Sequence, residues 1–226
     1  MDKYTVTIDK IEAIKDIGSN ALFIKMSEKE YSTQSGWGFS TLTLYNDLIS
    51  GCILKKTAKK YFTWDEASNS LISKTYDIIK EFRFFVDLKR SFMAVEGGLK
   101  DLNLLKQALR QICWSEFMYP SFSNKIGDYL SKFHNDGTLY EIEELTLSDF
   151  KIKNLFMGVY TARIIGENVG ITQISEYLDA ITKFKVSLNI KEHFVKLSAS
   201  KCNSFVVVCE DSCRMDVLEY LTSIVI

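Results

Sequence analysis

The chain has 226 residues, of which 46% are hydrophobic and 13% aromatic, enough to bury a sizeable core and to exclude a disordered protein. Its formal net charge is -1, which excludes a polycation acting over its whole surface, so any attraction to nucleic acid has to be regional. Five scattered cysteines do not make a secreted disulfide framework, no run is long enough to cross a bilayer, and the N-terminal stretch lacks a signal-peptide core. A cytoplasmic protein with reduced thiols and no membrane contact is therefore expected.

In chain order, residues 4–14 and 21–26 are predicted as two strands joined by a turn at Gly18, Ser19 and Asn20. Residues 32–39, around Gly36-Trp37-Gly38, are predicted as a loop, and Leu42, Leu44, Leu48 and Ile49 fit either a short helix or a strand. Ile53, Leu54 and residues 61–64 are extended, residues 65–70 turn, and residues 71–76 return. Over 78–88, Phe82, Phe84, Val86 and Leu88 alternate with Glu81, Arg83, Phe85 and Asp87, which puts the first set on a core face and the second on a mixed face. Lys89-Arg90-Ser91 turns the chain into a strand at 92–95. Gly97-Gly98 then leads to a helix with Asp101 as expected N-cap and an apolar stripe of Leu102, Leu105, Leu109 and Ile112.

The single proline, Pro120, lies in the loop-like YPSFSN and marks a weak boundary between residues 1–118 and 119–226, two halves or one continuous domain. Beyond it, strands are predicted at 142–147 and 158–165. A helix follows at 172–181 with Ile174, Leu178 and Ile181 inward, then a meander at 183–190, 194–200 and 205–209, and a closing helix at 215–224. Strands in runs with helices between them indicate an α+β fold of mostly antiparallel sheets covered by a few helices, in two similar-looking halves.

The common nucleotide, hydrolase and zincin motifs are missing, His134 and His193 lie far apart, and Cys202, Cys209 and Cys213 lack the spacing of a structural zinc site. No catalytic residue, metal or cofactor is assigned on these grounds. One enzymatic alternative is a metal-dependent nuclease of the PD-(D/E)xK type, for which Asp77 and Asp87-Leu88-Lys89 have the right letters, although a solvated hairpin end explains the same residues. Gly97-Gly98 before a helix could seat a phosphate, but Glu96 and Asp101 flank it and would repel an anion.

Charge is segregated along the chain. Residues 51–110 carry twelve Lys and Arg against seven Asp and Glu, a net of +5, whereas residues 111–226 carry -4. Within the basic region, Lys55, Lys56, Lys59 and Lys60 run directly into Tyr61, Phe62 and Trp64, followed by Lys74, Arg83, Lys89 and Arg90. Lysines neutralise phosphates by displacing counterions, and aromatics stack on bases, so these eight cations are the candidate nucleic-acid contacts, expected to line one rim. The same pattern also fits a solvated hairpin tip with core aromatics. A protein-interaction subunit without DNA contact is suggested in turn by Phe85, Trp37 and the apolar residues 221–226.

The stretch IIKEFRFFVDLKRSFMAVEGGLKDLNLLKQAL resembles the corresponding region of the recombination-associated RdgC family and of RexA-type phage-exclusion proteins. Glu144-Leu145-Thr146-Leu147-Ser148-Asp149-Phe150 is similar to the E-L-T-L-S/T-E-W stretch of RdgC, and KFKVSLNIKEHFVKLSASKCNSFVVV follows the same strand order. These segments span about half the chain. The resemblance implies non-enzymatic, largely sequence-independent binding of duplex DNA, with a partner or as a dimer, in recombination or phage defence. The chain departs from the family pattern in its shorter length and more acidic second half.

Overall fold

The computed structural model describes residues 1–226 except 15–16, 115, 122–123, 153–155, 163–173 and 202, and gives backbone only for 149–152 and 156–162. Its elements in order are β1 (Asp2–Lys10), β2 (Glu12–Ala13), α1 (Ser19–Ser27), β3 (Trp37–Tyr45), β4 (Leu48–Asp65), β5 (Ser70–Asp87), β6 (Phe92–Glu96), α2 (Leu99–Ile112), β7 (Phe117–Met118), α3 (Ile126–Asn135), β8 (Tyr140–Ile152), β9 (Phe156–Ala162), β10 (Ile181–Ile190), β11 (His193–Lys201), β12 (Ser204–Cys209) and α4 (Arg214–Val225). The fold is α+β, as its residue pattern indicates. One ten-stranded sheet runs β3-β4-β5-β6-β1-β12-β11-β10-β8-β9, and β2 and β7 form a separate pair.

The two halves meet where β1 pairs antiparallel with β12, so the sheet continues across the boundary near Pro120. Each half contains a three-strand meander followed by a helix: β4-β5-β6-α2 and β10-β11-β12-α4. The helices lie on opposite faces. Phe82, Phe84, Val86, Met93 and Val95 point to a core shared with Leu22 and Met26 of α1 and Leu102, Leu105 and Leu109 of α2. Phe85, Phe92, Ala94, Val6 and Ile8 point the other way, into a core with Tyr129, Leu130 and Phe133 of α3 and Val217, Leu218 and Leu221 of α4. Strand alternation produces this split, since neighbours along a strand face opposite sides of the sheet.

Four expectations change. Residues 21–26 are helical, not a strand: Leu22 and Met26, four apart, are the buried apolar pair of α1, and a run this short fits both periods. Residues 32–39 are a loop only as far as Ser35 and Gly36, because β3 starts at Trp37. Asp101 is not the N-cap of α2; Gly98 is, and it donates its backbone N–H to Asp101 Oδ2 at 3.1 Å. The helix expected at 172–181 is helical from Ile174, with Ile174, Leu178 and Ile181 inward as expected, but its Ser175–Ala180 part is 3₁₀ and Ile181 already opens β10; positions 172–173 lie outside the described residues. The strand expected at 158–165 is β9, with 163–165 also outside.

Phe85 and the C-terminal residues, expected to be open to a partner, are used internally. Phe85, Leu221, Ile224 and Val225 are all buried. Arg214 fastens the same region: it pairs with Asp2, Glu96 and Asp211, and its guanidinium lies 4.7 Å from the centre of the Tyr4 ring. Among the described residues, no helix is long and apolar enough to cross a membrane.

Candidate nucleic-acid interface

The hairpin of β4 and β5 is much longer than its neighbours. β3 pairs with β4 only from Tyr45↔Leu48 back to Trp37↔Lys55, and β6 pairs with β5 only over Phe84–Asp87. The β4–β5 ladder nevertheless continues without a register shift to Asp65↔Ser70. Residues 57–65 and 70–78 thus form a two-stranded arm about 30 Å long, at roughly 3.3 Å per residue. Its turn is closed locally. Asp65 Oδ2 accepts the Ser68 backbone N–H at 3.1 Å and the Ser68 hydroxyl at 2.5 Å, and Asn69 takes a left-handed backbone with φ 46°, which asparagine tolerates.

The arm has two chemically different faces. On the side of α1 and α2, Lys55 is opposite Lys80, Lys59 opposite Tyr76, and Tyr61 opposite Lys74. The Tyr61 and Tyr76 rings meet edge to face at 5.5 Å, between Lys59 and Lys74. On the other side lie Lys56, Lys60, Asp77 and Ile79, and near the tip Phe62 (71% exposed), Trp64 (57%) and Leu71 (65%). The aromatics at the tip are therefore not core residues.

Of the eight predicted cations, Lys59, Lys60 and Lys74 lie on the arm and Lys55 at its root beside Trp37, and none of the four makes an ion pair with a described residue. Lys56 is also at the root, held by Asp77 at 2.7 Å. Arg83 stands on the second face, opposite Cys52, nearer the body. Lys89 and Arg90 sit in the turn at the far end of β5, roughly 60 Å from the arm tip at ordinary strand rise. There Arg90 lies 3.7 Å from Asp87 and 3.9 Å from Glu219. The expected single rim is thus corrected to two faces of one arm plus a separate turn, because adjacent residues such as Lys59 and Lys60 must point to opposite sides of a strand.

The nuclease alternative loses its site. Asp77 and Asp87 are ten residues apart on one unbroken strand, roughly 33 Å at ordinary strand rise, whereas one metal ion needs its ligands within about 2–2.6 Å. Asp87 is buried and accepts the Arg90 backbone N–H at 2.9 Å, so it caps a turn and is not a solvated hairpin end. The Gly97-Gly98 bend is likewise filled from within. Asp101 caps Gly98 and receives the Lys80 ammonium, which ties the root of the arm to α2. Cys52, Cys113, Cys209 and Cys213 are free and buried, and burial pushes the Cys113 thiol up to about 11, a poor nucleophile.

A second basic surface is not visible in the sequence, since its residues are separated by up to 193 positions. Lys3, Lys183, Lys185 and Lys196 come together on the open face of the C-terminal half. Only the sheet order brings them side by side. The chain matches no family model, and no curated protein matches it.

Proposed function

We propose that the protein is a non-enzymatic nucleic-acid binder whose β4–β5 arm grips the phosphate backbone largely independently of sequence, in keeping with the RdgC-type resemblance and its setting in recombination or phage defence. The observation that carries this is the arm itself: six lysines against three carboxylates over residues 55–80, on a ribbon that no other described strand supports beyond Lys55. A two-stranded ribbon is marginally stable alone, so holding one out into solvent with unpaired lysines and exposed aromatics suits a ligand that covers it. Such a ribbon also fits the width of the DNA major groove. The ammonium groups displace counterions, and the aromatics offer flat surfaces for bases exposed at ends or in unpaired stretches.

Gel shift of a 30-bp duplex at graded salt tests the proposal. Retardation at 50 mM salt that fades steeply by 200 mM is expected. A salt-independent shift, or none, overturns it.

One observation favours a protein partner or a second copy as a further requirement: Phe62, Trp64 and Leu71 form an exposed apolar group on the arm face away from Tyr61 and Tyr76. If this group docks protein and not nucleic acid, Phe62→Ser with Trp64→Ser changes the mass found by light scattering and leaves duplex affinity within twofold.

A further inference from the structure

Each half of the sheet has one face covered by helices and one that no described helix covers. The open face of the N-terminal half is charge-balanced, with Arg83 beside Glu81, and Arg214 paired to Glu96 and Asp211 at its border. The open face of the C-terminal half is not. There Lys3, Lys183, Lys185 and Lys196 surround a shallow depression of about 390 Å³ floored by Ser198, Val206 and Val208. Strand register sets their places: Lys3 is opposite Val208, Val208 opposite Lys196, and Lys185 opposite Ser198. The floor is short-chained and the rim is long and basic, a shape that admits a polyanion down to the sheet.

Two carboxylates pair directly with three of these four ammonium groups. Glu144 takes Lys183 at 2.9 Å, and Glu143 takes Lys185, Lys196 and the Ser187 hydroxyl. Those three donors, Lys185 foremost, pull the Glu143 carboxyl down to about 2, so its charge is fixed at neutral pH. Lys3 makes no ion pair with a described residue; with the exposed Glu141, which stands opposite Ser187 on the same face, counted beside Glu143 and Glu144, four lysines meet three carboxylates, a surplus of one positive charge in a chain of net charge -1. Phe194 adds an exposed ring on the same face, with Lys196 Nζ 5.8 Å from its centre.

This face lies on the same side of the sheet as α1, α2 and the Lys59, Lys74, Tyr61 and Tyr76 face of the arm, because Lys3, Val206 and Val208 alternate with residues of the α3/α4 core. Counting strands, β5 to β11 is four steps and β4 to β10 six, roughly 19–29 Å across the sheet at about 4.8 Å per step, and the register that sets Phe84 level with Thr7 puts Lys74 six residues, roughly 20 Å, beyond Lys3 along the strands, within the length of a 30-bp duplex. We propose that the Lys3, Lys183, Lys185 and Lys196 face is a second phosphate-backbone site, which takes the same nucleic-acid chain that the arm holds. The second site rests on the arm being a nucleic-acid site.

The test is fluorescence anisotropy of a labelled 30-bp duplex between 50 and 300 mM salt, with Lys3→Glu/Lys183→Glu and, separately, Glu143→Gln. The double reversal should weaken binding at least tenfold at 100 mM and lower the salt slope by about 1.8, at roughly 0.9 for each phosphate no longer neutralised. Glu143→Gln removes a fixed negative charge and should tighten binding two- to fivefold, a gain that misfolding cannot produce. Wild-type affinity in both variants overturns the second site while leaving the arm reading intact, provided reversal of the arm lysines still abolishes binding. Weakened binding in both variants also overturns it, since charge would not then be the cause. Loss of binding to phosphatidylserine vesicles but not to duplex would assign the face to a membrane surface and reject the proposal.

Discussion

Reversing Lys59, Lys60 and Lys74 to Glu together is expected to reduce affinity for a 30-bp duplex by at least 100-fold at 50 mM salt, with the melting temperature unchanged. All three side chains are exposed and unpaired among described residues, so folding does not depend on them and surface substitutions there stay within about 0.5 kcal/mol. Together they cover both faces of the arm: Lys59 and Lys74 beside the tyrosines, Lys60 beside Phe62. Reversal turns attraction into repulsion at three points, and the slope of log affinity against log salt should fall by about 2.7, at roughly 0.9 per phosphate. If the lysines serve only to keep the ribbon's open edges from pairing with other chains, duplex binding is unaffected and the variant instead aggregates. Anisotropy and light scattering on one sample separate the two outcomes.

Phe84→Ala is expected to destabilise the protein by about 3–5 kcal/mol. Phe84 is fully buried on the α1/α2 face, opposite Gly51 on β4, and its ring meets Phe39 edge to face at 5.6 Å. Neither neighbour can close the gap. Phe39 is held by backbone hydrogen bonds to Lys29 and Tyr31, and a methyl group on Gly51 would come within 2.8 Å of Leu42. At about 2–4 °C per kcal/mol for a chain of this size, the melting temperature falls by roughly 6–20 °C. Tyr45→Ala, on an exposed ring at the end of β3, is the control and should change it little. A destabilisation below about 1 kcal/mol for Phe84→Ala would mean that α1 and α2 do not pack on this strand.

Much of the fold is legible in the chain where one face of a strand is buried. Phe82, Phe84 and Val86 alternate with Arg83, Phe85 and Asp87, and the structure sends the two sets to different sides; even the mixed set carries core residues, because β5 is covered on both sides near its C-terminal end. The arm is legible in its outer part, at 61–64, the turn at 65–70 and the return at 71–76, but not where it leaves the body. A ribbon with no core against it has no hydrophobic period, and the lysines of 55–60 hide an unbroken strand. α1 reads as a strand because Leu22 and Met26 are its only buried apolar side chains, too few to fix a period of 3.6. The cap of α2 reads three residues late, at Asp101, since glycine caps by conformation and leaves no side-chain signal.

The candidate site divides in the same way. Lys59, Lys60 and Lys74 stand close in sequence and close in space, whereas Lys89 and Arg90 are near them in sequence and far from the tip. Lys3 and Lys196 are neighbours through Val208 alone, a relation that exists only once β1, β12 and β11 are paired. Segments with a charge excess are readable directly. Surfaces assembled by sheet order are not.

Lysine acetylation footprinting of the intact protein, free and saturated with a 30-bp duplex at 50 mM salt, decides whether the arm is the surface that nucleic acid covers. Modification of Lys59, Lys60 and Lys74 should slow at least fivefold in the complex, while Lys89, at the opposite end of β5, keeps its free rate. A saturated complex in which the three arm lysines react as fast as in the free protein contradicts a nucleic-acid-binding arm.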